Sequence, residues 1–160
     1  MNHSDYEALT FSMVQHLESS APRLAQCTVS GGATNRVTGA SGFPHQVDVT
    51  VHNPTNMLLI ECKYWAEPVD VEPVLVLAAR IIDIRAGFAG TNVFGSMVST
   101  KEPTNGARVI AAHFDISIDV VKSADEYALR VFDHDFVGIN DGPHASDSYS
   151  IDVIRGGTDQ

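Results

Sequence analysis

The chain of 160 residues sets 10 Lys and Arg against 20 Asp and Glu, a net charge of −10, with 44% hydrophobic and 19% charged side chains. These proportions describe one acidic globular domain, too short for two independent cores and long enough to fold without disulfide or metal staples. They exclude a protein that coats nucleic acid by bulk charge, and no apolar run approaches the roughly 18 residues of a membrane span.

The acidity is uneven. Residues 1–122 hold 8 basic and 12 acidic side chains, net −4, and residues 123–160 hold 2 and 8, net −6. This divides the chain into a core domain over 1–122 and an acidic C-terminal extension over 123–160, expected to pack on the same domain. Cys27 and Cys62 form a single possible pair with no signal-peptide pattern ahead of them, so a reducing cytoplasm is the expected setting.

Ser4-Asp5-Tyr6-Glu7 has the form of a capping box, and Leu9, Met13 and Leu17 follow at helical spacing, which predicts a helix over about 5–18. Residues 26–29 read as a short, weak strand. The Gly-rich stretch 31–42 lacks the terminal Gly-Lys-Ser/Thr of a P-loop and any G-x-G-x-x-G spacing, so it reads as loop and strand edge, with no nucleotide cofactor. Residues 46–51 alternate, with Val47, Val49 and Val51 on one face and Gln46, Asp48 and Thr50 on the other, predicting a half-buried strand. Asn53-Pro54-Thr55-Asn56 is turn chemistry, and residues 57–65 return as the second strand of a hairpin.

Beyond Pro68 the period changes. Val74, Leu77, Ile81 and Ile84 predict a helix capped by Asp70 and ending near Gly87. A strand over 95–100, a helix over 104–114 and a strand over 116–121 make a compact β-α-β unit, which favours parallel pairing. Weaker strands are expected at 128–132 and 149–154. Tyr64, Trp65 and Phe43 are expected to pack under the 71–86 helix in preference to stacking on bases.

A symmetric turn at 53–56 makes paired residues sum to 109, which sets Asp48 opposite Glu61. Strand alternation adds Lys63 to the Glu61 face and sends Ile60, Cys62 and Tyr64 to the other. Opposed like charges destabilise a sheet by up to about 1 kcal/mol, so this pair calls for something to offset the repulsion. A hard divalent cation does so, because Mg²⁺ takes carboxylate oxygens and completes its shell with water and phosphate. Lys63 is then placed to stabilise charge on a phosphate or to assist an attacking water. The competing structural reading is a solvated pair of acids with an exposed Lys63 ion pair. His45 and His52 flank the first strand without zinc-type spacing, and read as surface histidines.

The string Asn35-Arg36-Val37-Thr38-Gly39-Ala40-Ser41-Gly42-Phe43-Pro44-His45-Gln46-Val47-Asp48, followed by Leu59-Ile60-Glu61-Cys62-Lys63-Tyr64-Trp65, resembles the PD-(D/E)xK nuclease superfamily, in particular its restriction-endonuclease-like (Mrr-like) group. Val98-Ser99-Thr100, Gly106-Ala107 and Ala111 to Ile116 are similar to the later strand, helix and strand of that group. The proline of the family name is not adjacent to Asp48; Pro44 lies four residues earlier.

The resemblance implies an α/β restriction-endonuclease-like core, α-β-β-β-α-β, with a mixed central sheet flanked by helices. It also implies Mg²⁺ or Mn²⁺ dependence and phosphodiester hydrolysis. Asp48 and Glu61 match the metal-binding acids, the backbone carbonyl of Cys62 a further ligand, and Lys63 the catalytic lysine. Gln46 falls where a polar residue assists near the scissile phosphate. Glu7 matches a first-helix acid placed near the metal, beside its alternative role in the capping box. Arg36, Lys101 and Arg108 would form a local positive rim for DNA. The function so implied is a Mg²⁺-dependent, restriction-type DNA endonuclease, expected as a homodimer because duplex cutting needs two scissions. The alternatives are a Holliday-junction or other structure-specific nuclease, and a non-catalytic nucleic-acid or protein binding module on the nuclease fold.

Overall fold

Helix α1, His3–Ser20, begins the computed structural model, which describes residues 2–20 and 27–121. Asn2 Oδ1 accepts the Asp5 amide at 2.9 Å and Asp5 Oδ2 accepts the Asn2 amide at 2.9 Å. That reciprocal pair is the capping box, two residues earlier than the Ser4–Glu7 box expected from sequence. Glu7 therefore lies inside the helix, free of any capping role.

Strand β1, Thr28–Gly31, is followed by β2, Arg36–Thr38, and β3, Pro44–Gln46. β2 and β3 pair only with each other, in an antiparallel two-stranded sheet that contains much of the Gly-rich stretch. Gly42, at φ 80, supplies the left-handed residue of its turn.

The strand expected over 46–51 is two strands, because the chain steps from the small sheet to the main one at Val47 and Asp48. β4, Val49–His52, begins only after that step. Asn35 fixes the corner: its side-chain amide donates to the Val47 carbonyl at 2.8 Å, and its carbonyl accepts the Val47 amide at 3.2 Å. The step resets the side-chain alternation. Val47 joins the core under one sheet face and Val49 and Val51 the core under the other. Both faces are covered, so Thr50 is buried and the strand is not half-buried as its alternation suggested.

Asn53 Oδ1 accepts the amides of Thr55 and Asn56 at 3.0 and 2.8 Å, closing the turn into β5, Asn56–Lys63. The hairpin register is the expected one, with Val49 opposite Ile60 and His52 opposite Met57. Helix α2, Val71–Gly87, starts at Asp70, whose side chain accepts the Val71 amide, and buries Val74, Leu77, Ala78, Ile81 and Ile84. β6, Asn92–Ser99, α3, Asn105–His113, and β7, Ile116–Val120, complete the described chain.

The main sheet runs β1-β4-β5-β6-β7, antiparallel through β5 and parallel from β5 to β7. The parallel β6-α3-β7 unit is the one expected. α1 covers one face through Tyr6, Leu9 and Phe11, packed with Val49, Ile60, Cys62 and Val98. α2 and α3 cover the other, against Met57, Leu59, Val93 and Met97. This is a mixed sheet flanked by helices, in the expected order α-β-β-β-α-β, with the β2–β3 hairpin inserted between the first two strands and α3 and β7 following. The strands expected at 128–132 and 149–154, and with them the acidic extension, lie outside the described residues.

Candidate active site

The site forms where β4 has just begun and β5 is about to end. Asp48 precedes β4 by one residue, so its side chain reaches β5 where a backbone partner would have stood. Asp48 Oδ2 accepts the Cys62 amide at 2.7 Å. A residue's N–H and C=O leave a strand on the same side, so the Cys62 carbonyl faces the same edge as Asp48. The Cys62 side chain points the opposite way, into the α1 core, as the alternation predicted. Burial pushes its thiol up to about 12, which makes it an inert core residue. Cys27 is also buried, and the two thiols are not bonded to each other.

Glu61 lies on the α2 face beside Asp48, and both are buried, at 9% and 6% exposure. Lys63 follows two residues on along the same face, and its Nζ lies 2.7 Å from Glu61 Oε1. Asp48, Glu61 and Lys63 are thus brought together as expected, and the exposed-pair reading fails on burial. The Asp48 carboxyl is pushed up to about 6 from an ordinary 3.8, first by burial, then by the negative charge of Glu61 and more weakly by that of Glu7. The Cys62 amide and Lys63 pull it down by less.

Glu7, half-buried on α1, also faces this cluster closely enough to act on Asp48 and Cys62, and pairs with His3 at 3.2 Å. Gln46 ends β3 opposite Arg36 and forms no side-chain hydrogen bond with Asp48, Glu61 or Lys63. Arg36 and Lys101 are exposed. Arg108 is exposed but tied to Glu102 at 2.6 Å. His45 is occupied elsewhere, its Nε2 2.7 Å from Asp83 on α2, and His52 closes the far end of β4.

Sequence reasoning missed Arg80. From the middle of α2 its Nη1 meets Glu61 Oε2 at 2.7 Å. A signal was present, since Arg80 falls between Leu77, Ile81 and Ile84, a cation on the helix face that turns toward the sheet.

Among the described residues no three His, Cys, Asp or Glu side chains form a metal cage. The donor set of two carboxylates and a backbone carbonyl nevertheless fits a hard cation such as Mg²⁺, which uses one or two carboxylates and leaves other positions to water and phosphate. It does not fit a structural zinc, which demands four protein ligands, usually Cys and His.

The fold and this site together define a mixed-sheet protein with two opposed acids and a lysine where β4 begins and β5 ends. The sequence matches no family profile and no curated protein. Among solved structures it is similar to AF1548, a protein of unknown function, at 16% identity over 79% of this chain and 71% of that one, with a TM-score of 0.56. That likeness is one of fold. A repair endonuclease from Pyrococcus abyssi aligns at 17% identity over 69% of this chain, TM-score 0.46, and an EndoMS–dsDNA complex at 14% over 76%, TM-score 0.48. The chain spans 46% of the length of each of those two.

Proposed function

We propose that the chain is a divalent-metal-dependent nuclease that hydrolyses phosphodiester bonds in DNA. The observation that carries this reading is the buried pairing of Asp48 with Glu61, with Lys63 on the same face at an open strand end. A carboxyl buried beside a second acid, as Asp48 is beside Glu61, is costly to ionise and a poor structural element, and the pair makes good ligands for a hard cation.

Asp48, Glu61 and the Cys62 carbonyl would hold Mg²⁺ or Mn²⁺, with Glu7 within reach as an outer acid. The ion, when bound, supplies charge that polarises a phosphate and lowers the pKa of water. Lys63 presents its ammonium to the same space, where it stabilises charge developing on the phosphate. Gln46 assists from the end of β3, and Arg36 and Lys101 steady the flanking backbone, with Arg108 joining them once released from Glu102. The described residues of one chain offer one such site, so double-strand scission requires a homodimer or sequential nicking. Restriction-type cleavage of duplex is the leading form of this reading, and a structure-specific nuclease such as a junction resolvase is the second.

One observation favours a non-catalytic nucleic-acid binding module: both Glu61 oxygens are already held by cations, Lys63 and Arg80. Cleavage of supercoiled plasmid, methylated plasmid and a four-way junction with Mg²⁺ or Mn²⁺ decides between them. Activity abolished by Asp48→Ala and by Lys63→Ala is the expected result, and the preferred substrate separates the two nuclease forms. No cleavage of any substrate, with no metal binding that depends on Asp48 and Glu61, leaves the binding module.

A further inference from the structure

Beside the acids lies a groove that the hydrolytic chemistry does not use. Its walls are the segments leaving the C-terminal ends of the parallel strands β5 and β6, and it is lined chiefly by Tyr64, Trp65, Pro68, Thr100 and Lys101. Tyr64 and Trp65 are 37% and 39% exposed, so the aromatics do not pack under α2 as the sequence suggested. Tyr64 leans on Tyr6 of α1 with ring centroids 5.7 Å apart, and Phe43 lies edge-on to His45.

We propose that this groove binds an unpaired nucleobase of the DNA strand held at Asp48, Glu61 and Lys63. The proposal rests on the nuclease reading above and, within it, favours the structure-specific form over restriction-type cleavage of duplex, with DNA carrying at least one unpaired nucleotide near the site of attack as the substrate class.

Three features carry it. The first is continuity: Lys63 Nζ lies 5.4 Å from the centroid of the Trp65 ring. One ammonium therefore borders both the acid cluster and the aromatic floor, and a base on Trp65 sits next to a phosphate at Lys63. Lys101 adds a second cation, as the flanking phosphodiester backbone requires.

The second is rigidity. Thr100 Oγ1 donates to the Trp65 carbonyl at 3.1 Å and accepts its amide at 3.3 Å, and the Thr100 amide donates to the Lys63 carbonyl at 3.1 Å. Deeper in, Val69 bridges Pro103 and accepts the Thr104 amide at 2.9 Å. The two walls are stitched together at both levels, so the groove is formed before anything enters it.

The third is the chemistry left for recognition. The Thr100 hydroxyl is spent on the Trp65 backbone and the Glu102 carboxylate on Arg108. Apart from the Lys101 ammonium, given to the backbone, and the Tyr64 hydroxyl, what remains is aromatic surface, which reads the π-face that every base has more than its hydrogen-bonding edge. Such a groove discriminates little among bases. It discriminates paired from unpaired, because a base inside a duplex reaches it only by leaving the stack, which is easiest for one that lacks a partner.

Trp65 is the only tryptophan in the chain, so intrinsic fluorescence reports on the groove directly. The full chain, kept in EDTA to prevent cleavage, is titrated with a fully paired duplex, the same duplex bearing one bulged base, and the same bulge made abasic. The bulged base is expected to quench Trp65 and to bind on the order of tenfold more tightly than the abasic bulge, in keeping with the usual contribution of one stacked base. Trp65→Leu should erase that preference and Trp65→Phe retain most of it. Equal affinity and equal fluorescence for all three DNAs, with binding intact, overturns the proposal and leaves the nuclease reading standing. No binding to any DNA overturns both.

Discussion

Arg80 Nη1 lies 2.7 Å from Glu61 Oε2, the oxygen that Lys63 leaves untouched. A single buried carboxylate thus bridges a lysine from its own strand and an arginine from the helix packed above it. Arg80, with Lys63, balances the charge of Glu61 without a metal and competes with any cation for it. Arg80→Met is expected to raise Mn²⁺ affinity about tenfold in the absence of DNA, the effect of removing roughly 1.4 kcal/mol of competing interaction. Calorimetric titration measures it. A lower affinity would show that Arg80 orients Glu61 for the metal.

Asp48 gives folding a pH dependence of defined sign. Its carboxyl is raised in the folded protein, so its stabilising contribution is complete below the ordinary value of 3.8 and is lost as pH rises through about 6. Asp48→Asn should therefore stabilise the protein at pH 7, by about 3 kcal/mol at most, and the difference should vanish near pH 4. Denaturant midpoints at the two pH values provide the comparison. Metal binding needs the ionised form, so metal affinity should fall as pH drops through the same region.

Asp83 acts in the opposite sense. His45 first, then the Ser41 hydroxyl and amide, hold its carboxyl below the usual range, and together they clasp the β2–β3 hairpin to α2. The clasp is present above pH 3.8 and is lost as pH falls through the lowered value. Gly39 allows the close approach, since a Cβ there would run into Asp83. Asp83→Ala is expected to speed hydrogen exchange at the Ser41 amide by tenfold or more, with amides of β5 unchanged.

Tyr6 anchors α1 to the end of the described chain, its hydroxyl donating to the Val121 carbonyl at 3.0 Å from a fully buried position. Tyr6→Phe should cost about 1 kcal/mol. Tyr6→Ala should cost about 3–5 kcal/mol, through the cavity it leaves beside Ile60 and Cys62. Urea denaturation distinguishes the two.

Legibility in the sequence followed the range of each interaction. The hairpin register was readable because a four-residue turn fixes it locally, and that register alone placed Asp48, Glu61 and Lys63 together. The start of α2 was readable from Asp70, whose side chain caps its own helix. The step at Asp48 was not, because Val47, Val49 and Val51 alternate perfectly, and only the remote Asn35 reveals that they serve opposite faces. The Asn2–Asp5 cap was overlooked beside the more familiar Ser4–Glu7 pattern, which hid the freedom of Glu7. Arg80 meets Glu61 across 19 positions of sequence, a pairing visible only once helix and sheet are packed. The exposure of Trp65 likewise depends on where two loops run, which no periodicity encodes.

The two bonds between Asn35 and Val47 close a neck. Everything between them is an excursion whose ends are fixed to each other, and Asp48 follows immediately outside. The hairpin is thus held twice, at its neck by Asn35 and at its tip by the Ser41–Asp83 clasp to α2. A change of length around Ser41 and Gly42 gives up the tip contact first, while the neck still sets where Asp48 enters the sheet and so the spacing of the acids.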